Sequence, residues 1–249
     1  METLIRQARE VGTSAGVLLP RRWLNKQVVV TLHYPALKDI AQDIIKILFE
    51  ENLNEEIKGI YLTGSYARGD YDFNSDIDVL VITSNVNKII KNDKYEIILV
   101  SESNFSKNLF HNLNYLSSLK EAKVIINKEL LKEYQSMKIK PNFKYLLKEI
   151  EKIIKINQDT ILTCNENNQQ IPDGVIYSIV LRLRELYLIK CIILGKQYNK
   201  EVFLKLVGEN SYNIYNRVKR DEKELNNISY EEAYSLINLS SKWLKEVRD

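Results

Sequence analysis

The chain has 249 residues, 45% hydrophobic and 28% charged, with a net charge of +3, the balance of an ordinary globular protein and not of a disordered or fibrous one. No apolar run approaches the ~20 residues that span a bilayer, and the charged start METLIRQARE lacks the apolar core of a signal peptide. Cys164 and Cys191 are too few and too far apart for a disulfide framework or a zinc motif, so the expectation is a cytoplasmic protein with two reduced thiols. The charge is uneven: residues 34–135 are acidic and both flanks are basic. That pattern suits a cation-binding site beside anion-binding surfaces, or simple scatter in a lysine-rich chain.

Before Pro35, the stretches VLLP and QVVVTLHY read as two strands of a small β unit, joined through RRWLNK. After it, ALKDIAQDIIKILFEEN places Leu37, Ile40, Ala41, Ile44, Ile45, Leu48 and Phe49 at the spacing of an amphipathic helix. A strand follows at IKGIYLTG, ending in Gly64. Further strands are expected at DVLVIT, KYEIILVS and AKVIIN, with a helix around residues 103–119. Helix, strand, Gly-Ser turn, two strands, helix and strand make a compact mixed-sheet unit. From NFKYLLKEIEKIIKI onward the periodicity is helical, over 143–165, 174–195, 199–207 and 230–247. The fold class expected is α+β, divided as 1–34 (β hairpin module), 35–135 (mixed-sheet domain) and 136–249 (helical bundle).

The chemistry concentrates in YLTGSYARGDYDFNSDIDVLVIT. Side chains at i and i+2 of a strand share a face, so Asp76 and Asp78 set two carboxylates side by side. Their repulsion is costly unless a cation lies between them. A hard cation such as Mg²⁺ takes oxygen ligands, few of them from protein where substrate phosphates supply the rest. Two such ions about 3.5–4 Å apart can clamp the attacking and leaving oxygens of a phosphoryl-type displacement. A third carboxylate on a neighbouring strand would complete the set. Glu96, inside YEIILV, is the first candidate and Asp93, in the preceding turn, the second. Upstream, the Gly64-Ser65 pair offers close backbone approach, N–H donors and a hydroxyl to a phosphate, and Arg68 adds a cation. Asp70 and Asp72 read as turn residues.

The segment GSYARGDYDFNSDIDVLV resembles the signature of DNA polymerase β-type nucleotidyltransferases, in the form found in the minimal members of that superfamily. The resemblance covers roughly residues 36–130. It implies that Gly64, Ser65, Arg68 and Ser75 bind a nucleoside triphosphate, and that Asp76, Asp78 and Glu96 are catalytic residues holding Mg²⁺, two ions in all, with ATP the expected substrate. Many relatives carry Asp where this chain has Glu96. The helices after residue 136 loosely resemble the substrate domains of kanamycin-type nucleotidyltransferases and the HEPN bundles that partner minimal ones. HEPN ribonucleases use an arginine followed closely by a histidine. Here His33 and His111 both lie upstream, which argues against that activity.

In the helix GVIYSIVLRLRELYLIKCIIL, Ser178, Arg182 and Glu185 form a polar stripe on an otherwise apolar surface. The stripe either faces the base or acceptor, or is an intrahelical ion pair. The run NSYNIYNRVKRDEKEL, with Tyr212, Tyr215, Arg217, Lys219 and Arg220, has the composition of a nucleic-acid contact but reads better as a solvated helix. GTSAGVLLPRRWLNKQVVVTL resembles the AbrB-type β module. That resemblance implies a homodimer and a DNA contact through Arg21, Arg22 and Lys26; the plainer alternative is a β decoration on the catalytic domain.

Two functions follow. The first is a Mg²⁺-dependent nucleotidyltransferase moving an NMP from an NTP to a hydroxyl of RNA, a small molecule or a protein, with release of pyrophosphate. The second is an antitoxin-like DNA-binding dimer, with a helical partner protein.

Overall fold

A computed structural model describes residues 4, 6, 8–30, 35–72, 75–92 and 94–248. The chain divides into two compact units, residues 1–42 and 43–249. In the first, β1 (Arg9–Val11) and β2 (Ser14–Gly16) form an antiparallel hairpin, with Gly12 at φ +59° in its turn. A 3₁₀ turn follows at Arg21–Trp23, entered from Pro20. The two strands expected here lie elsewhere. Residues 17–20 and 27–30 are not in strands, and residues 31–34, His33 among them, fall outside the described set. Val28, Val29 and Val30 suit a strand by propensity, but propensity needs a paired neighbour to act on.

Helix α1 (Leu37–Glu50) carries the chain from one unit into the other. The second unit is built on a five-stranded mixed sheet in the order β5-β6-β4-β3-β7, from β3 (Ile57–Leu62), β4 (Ile77–Thr83), β5 (Lys88–Asn92), β6 (Tyr95–Ser101) and β7 (Lys123–Ile126). Strands β4 and β6 are parallel and the other pairs antiparallel. The strands at IKGIYL, IDVLVIT, YEIILVS and KVII fall where the apolar runs placed them. The Gly-Ser turn is instead a short helix, α2 (Gly64–Arg68). The single helix expected around 103–119 is two, α3 (Glu102–Asn108) and α4 (Leu113–Glu121), each capped by a side chain, Ser101 and Asn112. Helix α5 (Lys128–Ser136) precedes the C-terminal helices.

Those are α6 (Lys144–Glu166), α7 (Asp173–Ile193), α8 (Lys200–Val207), α9 (Glu209–Lys219) and α10 (Tyr230–Glu246). In α7, Ile176, Ile179, Val180, Leu183, Leu186 and Ile189 are buried, the three-and-four spacing of a helix packed on more than one side. One apolar cluster joins Tyr61, Leu80, Ile82 and Val100 of the sheet to Leu116 and Leu119 of α4 and to α6, α7 and α10. The sheet and the helices therefore share a core. Among the helices themselves there is a buried polar tie. The fully buried carboxylate of Asp173 accepts from Arg217 Nε and Nη2 at 2.9 and 2.7 Å, and from the backbone N–H of Leu225 and Asn226 at 2.9 and 3.1 Å. Cys164 and Cys191 are free and buried.

Candidate active site

The parallel pairing of β4 with β6 sets Asp78 directly beside Glu96. Asp76 precedes β4, two residues before Asp78. Burial first, and then the negative charges of Glu96 and Asp76, push the Asp78 carboxyl up to about 6; Arg184 and Lys219 act in the opposite direction. Asp78 thus stands between two acidic neighbours that both repel its charge. Asp76 Oδ2 lies 3.4 Å from Lys219 Nζ, and Glu96 Oε1 lies 3.5 Å from Lys91 Nζ, its cross-strand neighbour on β5. Asp93 is outside the described residues. Among the described residues, no three His, Cys, Asp or Glu side chains are gathered as ligands of one ion. The donor chemistry nevertheless suits a hard cation: all oxygen, three negative charges, and one carboxyl whose proton affinity the other two raise.

Gly64 fits this site by shape. The backbone N–H and hydroxyl of Thr63 both donate to the Asp78 carbonyl, at 2.9 and 3.3 Å, which draws the next residue over the Asp78 side chain. Gly64 has φ +66°, and a Cβ there would stand 1.9 Å from Asp78 Oδ2. Only glycine meets both conditions. Its N–H donates to Glu121 Oε1 at 2.8 Å. Arg68, at the end of α2, donates to Glu121 Oε2 at 2.6 Å and to Asp70 Oδ2 at 3.1 Å, and its guanidinium lies 4.9 Å from the centre of the Tyr198 ring. The carbonyl of Ser65 accepts from the N–H of Gly69 and Asp70, which closes α2. Ser75 exchanges hydrogen bonds with Asp72.

Asp70 and Asp72 do more than turn the chain. Lys200, at the start of α8, donates to the Asp70 carbonyl at 3.2 Å and to Asp72 Oδ2 at 2.9 Å. Tyr66 stacks on Tyr71 with centroids 4.3 Å apart. Residues 70–72, which follow α2, are thus fastened from α8 and from α2 itself.

The helices face the acidic end of the sheet with bases and aromatic rings. Arg184 of α7 is close enough to lower the proton affinity of Asp78. It donates weakly to Tyr215 Oη at 3.4 Å and lies 6.0 Å from the Tyr198 ring centre; among the described residues no carboxylate forms an ion pair with it. Tyr215 stacks between Tyr177 and Tyr212, at 5.1 and 5.7 Å. Lys219 and Lys200 complete this basic wall.

The stripe of Ser178, Arg182 and Glu185 is not part of it. Ser178 Oγ accepts from Asn157 of α6 at 2.9 Å, and Arg182 pairs with Glu185 at 2.7 Å, the intrahelical alternative. Arg184 lies two residues on, about 200° around the helix, so Arg182 points away from the side that meets the sheet. Arg217 is taken by Asp173, and Arg220 pairs with Glu222. Of that run, Lys219 alone meets a carboxylate of the cluster among the described residues. Arg21, Arg22 and Lys26 are exposed in the first unit. Glu121, Arg184 and Lys200 were not singled out from sequence. Each reaches the site from a helix whose local pattern reports only its apolar face.

No curated protein matches the chain. A nucleotidyltransferase-like protein from Exiguobacterium sibiricum is 15% identical over 83% of this chain and 75% of its own, with a TM-score of 0.35. A spectinomycin adenyltransferase from Enterococcus faecialis, solved with ATP and spectinomycin, is 16% identical over 83% of this chain and 98% of its own, with a TM-score of 0.41. The nucleotidyltransferase domain description matches residues 42–184, more than half of the chain, from α1 through the carboxylates to Arg184. The chain therefore belongs to the nucleotidyltransferase domain family and is a transferase enzyme.

Proposed function

We propose that the protein is a Mg²⁺-dependent nucleotidyltransferase that moves an NMP from an NTP, ATP in the first instance, to a hydroxyl acceptor. The observation that carries this reading is the register of Asp78 beside Glu96 with Gly64 closed over Asp78. Asp76, Asp78 and Glu96 would hold the metal. When bound it supplies positive charge against the phosphate oxygens and the attacking oxygen. Gly64, Ser65, Arg68 and Ser75 would line the triphosphate, and Arg184, Lys200 and Lys219 would meet its charge from the helices. The acceptor oxygen bonds to the α-phosphorus as the bond from that phosphorus to the α,β-bridging oxygen breaks. Pyrophosphate leaves with the electron pair. The hydroxyl proton goes to Glu96, whose side chain is one-third exposed. RNA, a small molecule or a protein hydroxyl would enter between the sheet end and α7–α9. Incubation with each α-labelled NTP, Mg²⁺ and candidate acceptors tests the reading. Label transfer with stoichiometric pyrophosphate supports it; hydrolysis alone, or transfer that survives Asp76→Ala, refutes it.

The first unit favours a second role beside this one. Leu18, Leu24, Val29 and Val30 are 68, 70, 93 and 70% exposed, an apolar segment that a second copy would cover, with Arg21, Arg22 and Lys26 presented to DNA. Light scattering of the full chain and of one beginning at Pro35 tests the pairing, and a monomer in both cases refutes it. Among the described residues no helix is long and apolar enough to cross a membrane. With two free thiols, this supports placing the enzyme in the cytoplasm.

A further inference from the structure

Two of the residues assigned above to the triphosphate, Gly64 and Arg68, are engaged by the chain itself. Glu121 bridges them: Oε1 accepts from the Gly64 N–H at 2.8 Å and Oε2 from Arg68 Nη1 at 2.6 Å. One carboxylate thus spans an amide and a guanidinium as two oxygens of a phosphate would. Its side chain is only 11% exposed. Glu121 is the last residue of α4, where the helix carbonyls disfavour a negative charge. The helix end therefore does not hold it in place; the Gly64 and Arg68 bonds do.

Space lies next to it. A cavity of about 260 Å³ is lined by Arg68, Lys120, Glu121, Lys123, Lys196 and Tyr198 among others, and among the described residues Glu121 is its only acidic lining residue. Lys120 donates to the carbonyls of Cys191 and Ile192 at 3.5 and 3.2 Å. Lys123 and Lys196 are exposed at the cavity. A carboxylate turned away from Gly64 would find room and ammonium groups there.

We infer that Glu121 is a latch on the triphosphate subsite. In the free enzyme it occupies Gly64 and Arg68; a bound polyphosphate displaces it toward the lysines of the cavity. The inference rests on the reading that Gly64 and Arg68 receive the triphosphate. Displacement lowers the apparent affinity by the fraction of molecules with the latch open. It also keeps the guanidinium and the amide satisfied when no nucleotide is present.

The test is calorimetric titration with magnesium tripolyphosphate, which has no base to be selected. Glu121→Gln loses the charge and keeps one acceptor oxygen where Gly64 and Arg68 now use two. Glu121→Asp is one methylene too short to span both. Each is expected to bind the probe roughly fivefold tighter or more. A purely structural Glu121 would give weaker binding and a lower melting temperature instead. Lys196→Met is expected to weaken binding in the wild-type background and to have no effect beside Glu121→Gln, as a coupled pair requires. Unchanged or weaker binding by both Glu121 variants overturns the latch. Arg68→Gln binding as tightly as wild type overturns the subsite reading, and the latch with it.

Discussion

Replacing Asp78 by Asn should inactivate the enzyme and at the same time stabilise its metal-free form. The Asp78 carboxyl is pushed from 3.8 to about 6 by burial and by its acidic neighbours. Each tenfold change in proton affinity is worth ~1.4 kcal/mol, so keeping this group ionised in the folded chain costs about 2–3 kcal/mol. The sign follows from proton binding. Between pH 3.8 and about 6 the folded state holds a proton that the unfolded state has released, so stability falls as the pH rises through that window, and the full cost applies above it. Asn carries no charge to be desolvated. In EDTA at pH 7.5, Asp78→Asn should melt higher than wild type by about 4–6 °C, at ~2 °C per kcal/mol for a chain of this length. The difference should vanish near pH 4. Adding Mg²⁺ with ATP should raise the wild-type Tm and leave the variant unmoved. Scanning calorimetry at both pH values checks this. A variant no more stable than wild type at pH 7.5, or equally more stable at both pH values, would refute the charge-repulsion argument.

Gly64→Ala should lose about 100-fold in turnover, because its Cβ would overlap Asp78 Oδ2 and a ~1 Å displacement of a reacting group costs that much; wild-type kcat in this variant would contradict the fit. Asp173→Ala leaves the Arg217 guanidinium unpaired beside a buried site and should destabilise by about 3–5 kcal/mol in urea unfolding. Arg184→Met should cut turnover about 10–100-fold while Arg182→Met leaves it within about twofold, and the reverse order in steady-state assays would return the site to the Ser178 stripe.

How much of this was legible in the sequence depended on distance along the chain. The strands around Ile60, Val79 and Ile97 and the long helices announce themselves by period, since each buries a repeating face. The Gly64-to-Asp78 spacing is likewise a local message, fixed by the end of one strand, the short helix α2 and the start of the next strand. What stayed hidden came from pairing between remote positions. Gly64 and Glu121 are 57 residues apart, and nothing in the stretch LNYLSSLKE distinguishes its final acid from a solvated one. Arg184 was hidden for another reason: on a helix buried nearly all round, polar exceptions point in several directions, and the sequence does not say which direction meets the sheet. The N-terminal strands were misplaced because the β-branched run at Val28–Val30 has no partner to pair with in the described residues.

The core shared by sheet and helices has a kinetic consequence. Swinging α6–α10 away from the sheet as a rigid body would expose Leu116, Leu119, Tyr61 and their neighbours, at about 1.5–3 kcal/mol for each large side chain. Such an open state is too rare to serve every catalytic cycle. Traffic into the site is then governed by rotamer changes in half-exposed long side chains such as Lys219, which occur in nanoseconds, and not by the microsecond-to-millisecond motions of hinged lobes. Relaxation-dispersion spectra of the free enzyme should accordingly be quiet through α6, α7 and α10. The turnover rate should be insensitive to solvent viscosity until product release becomes limiting.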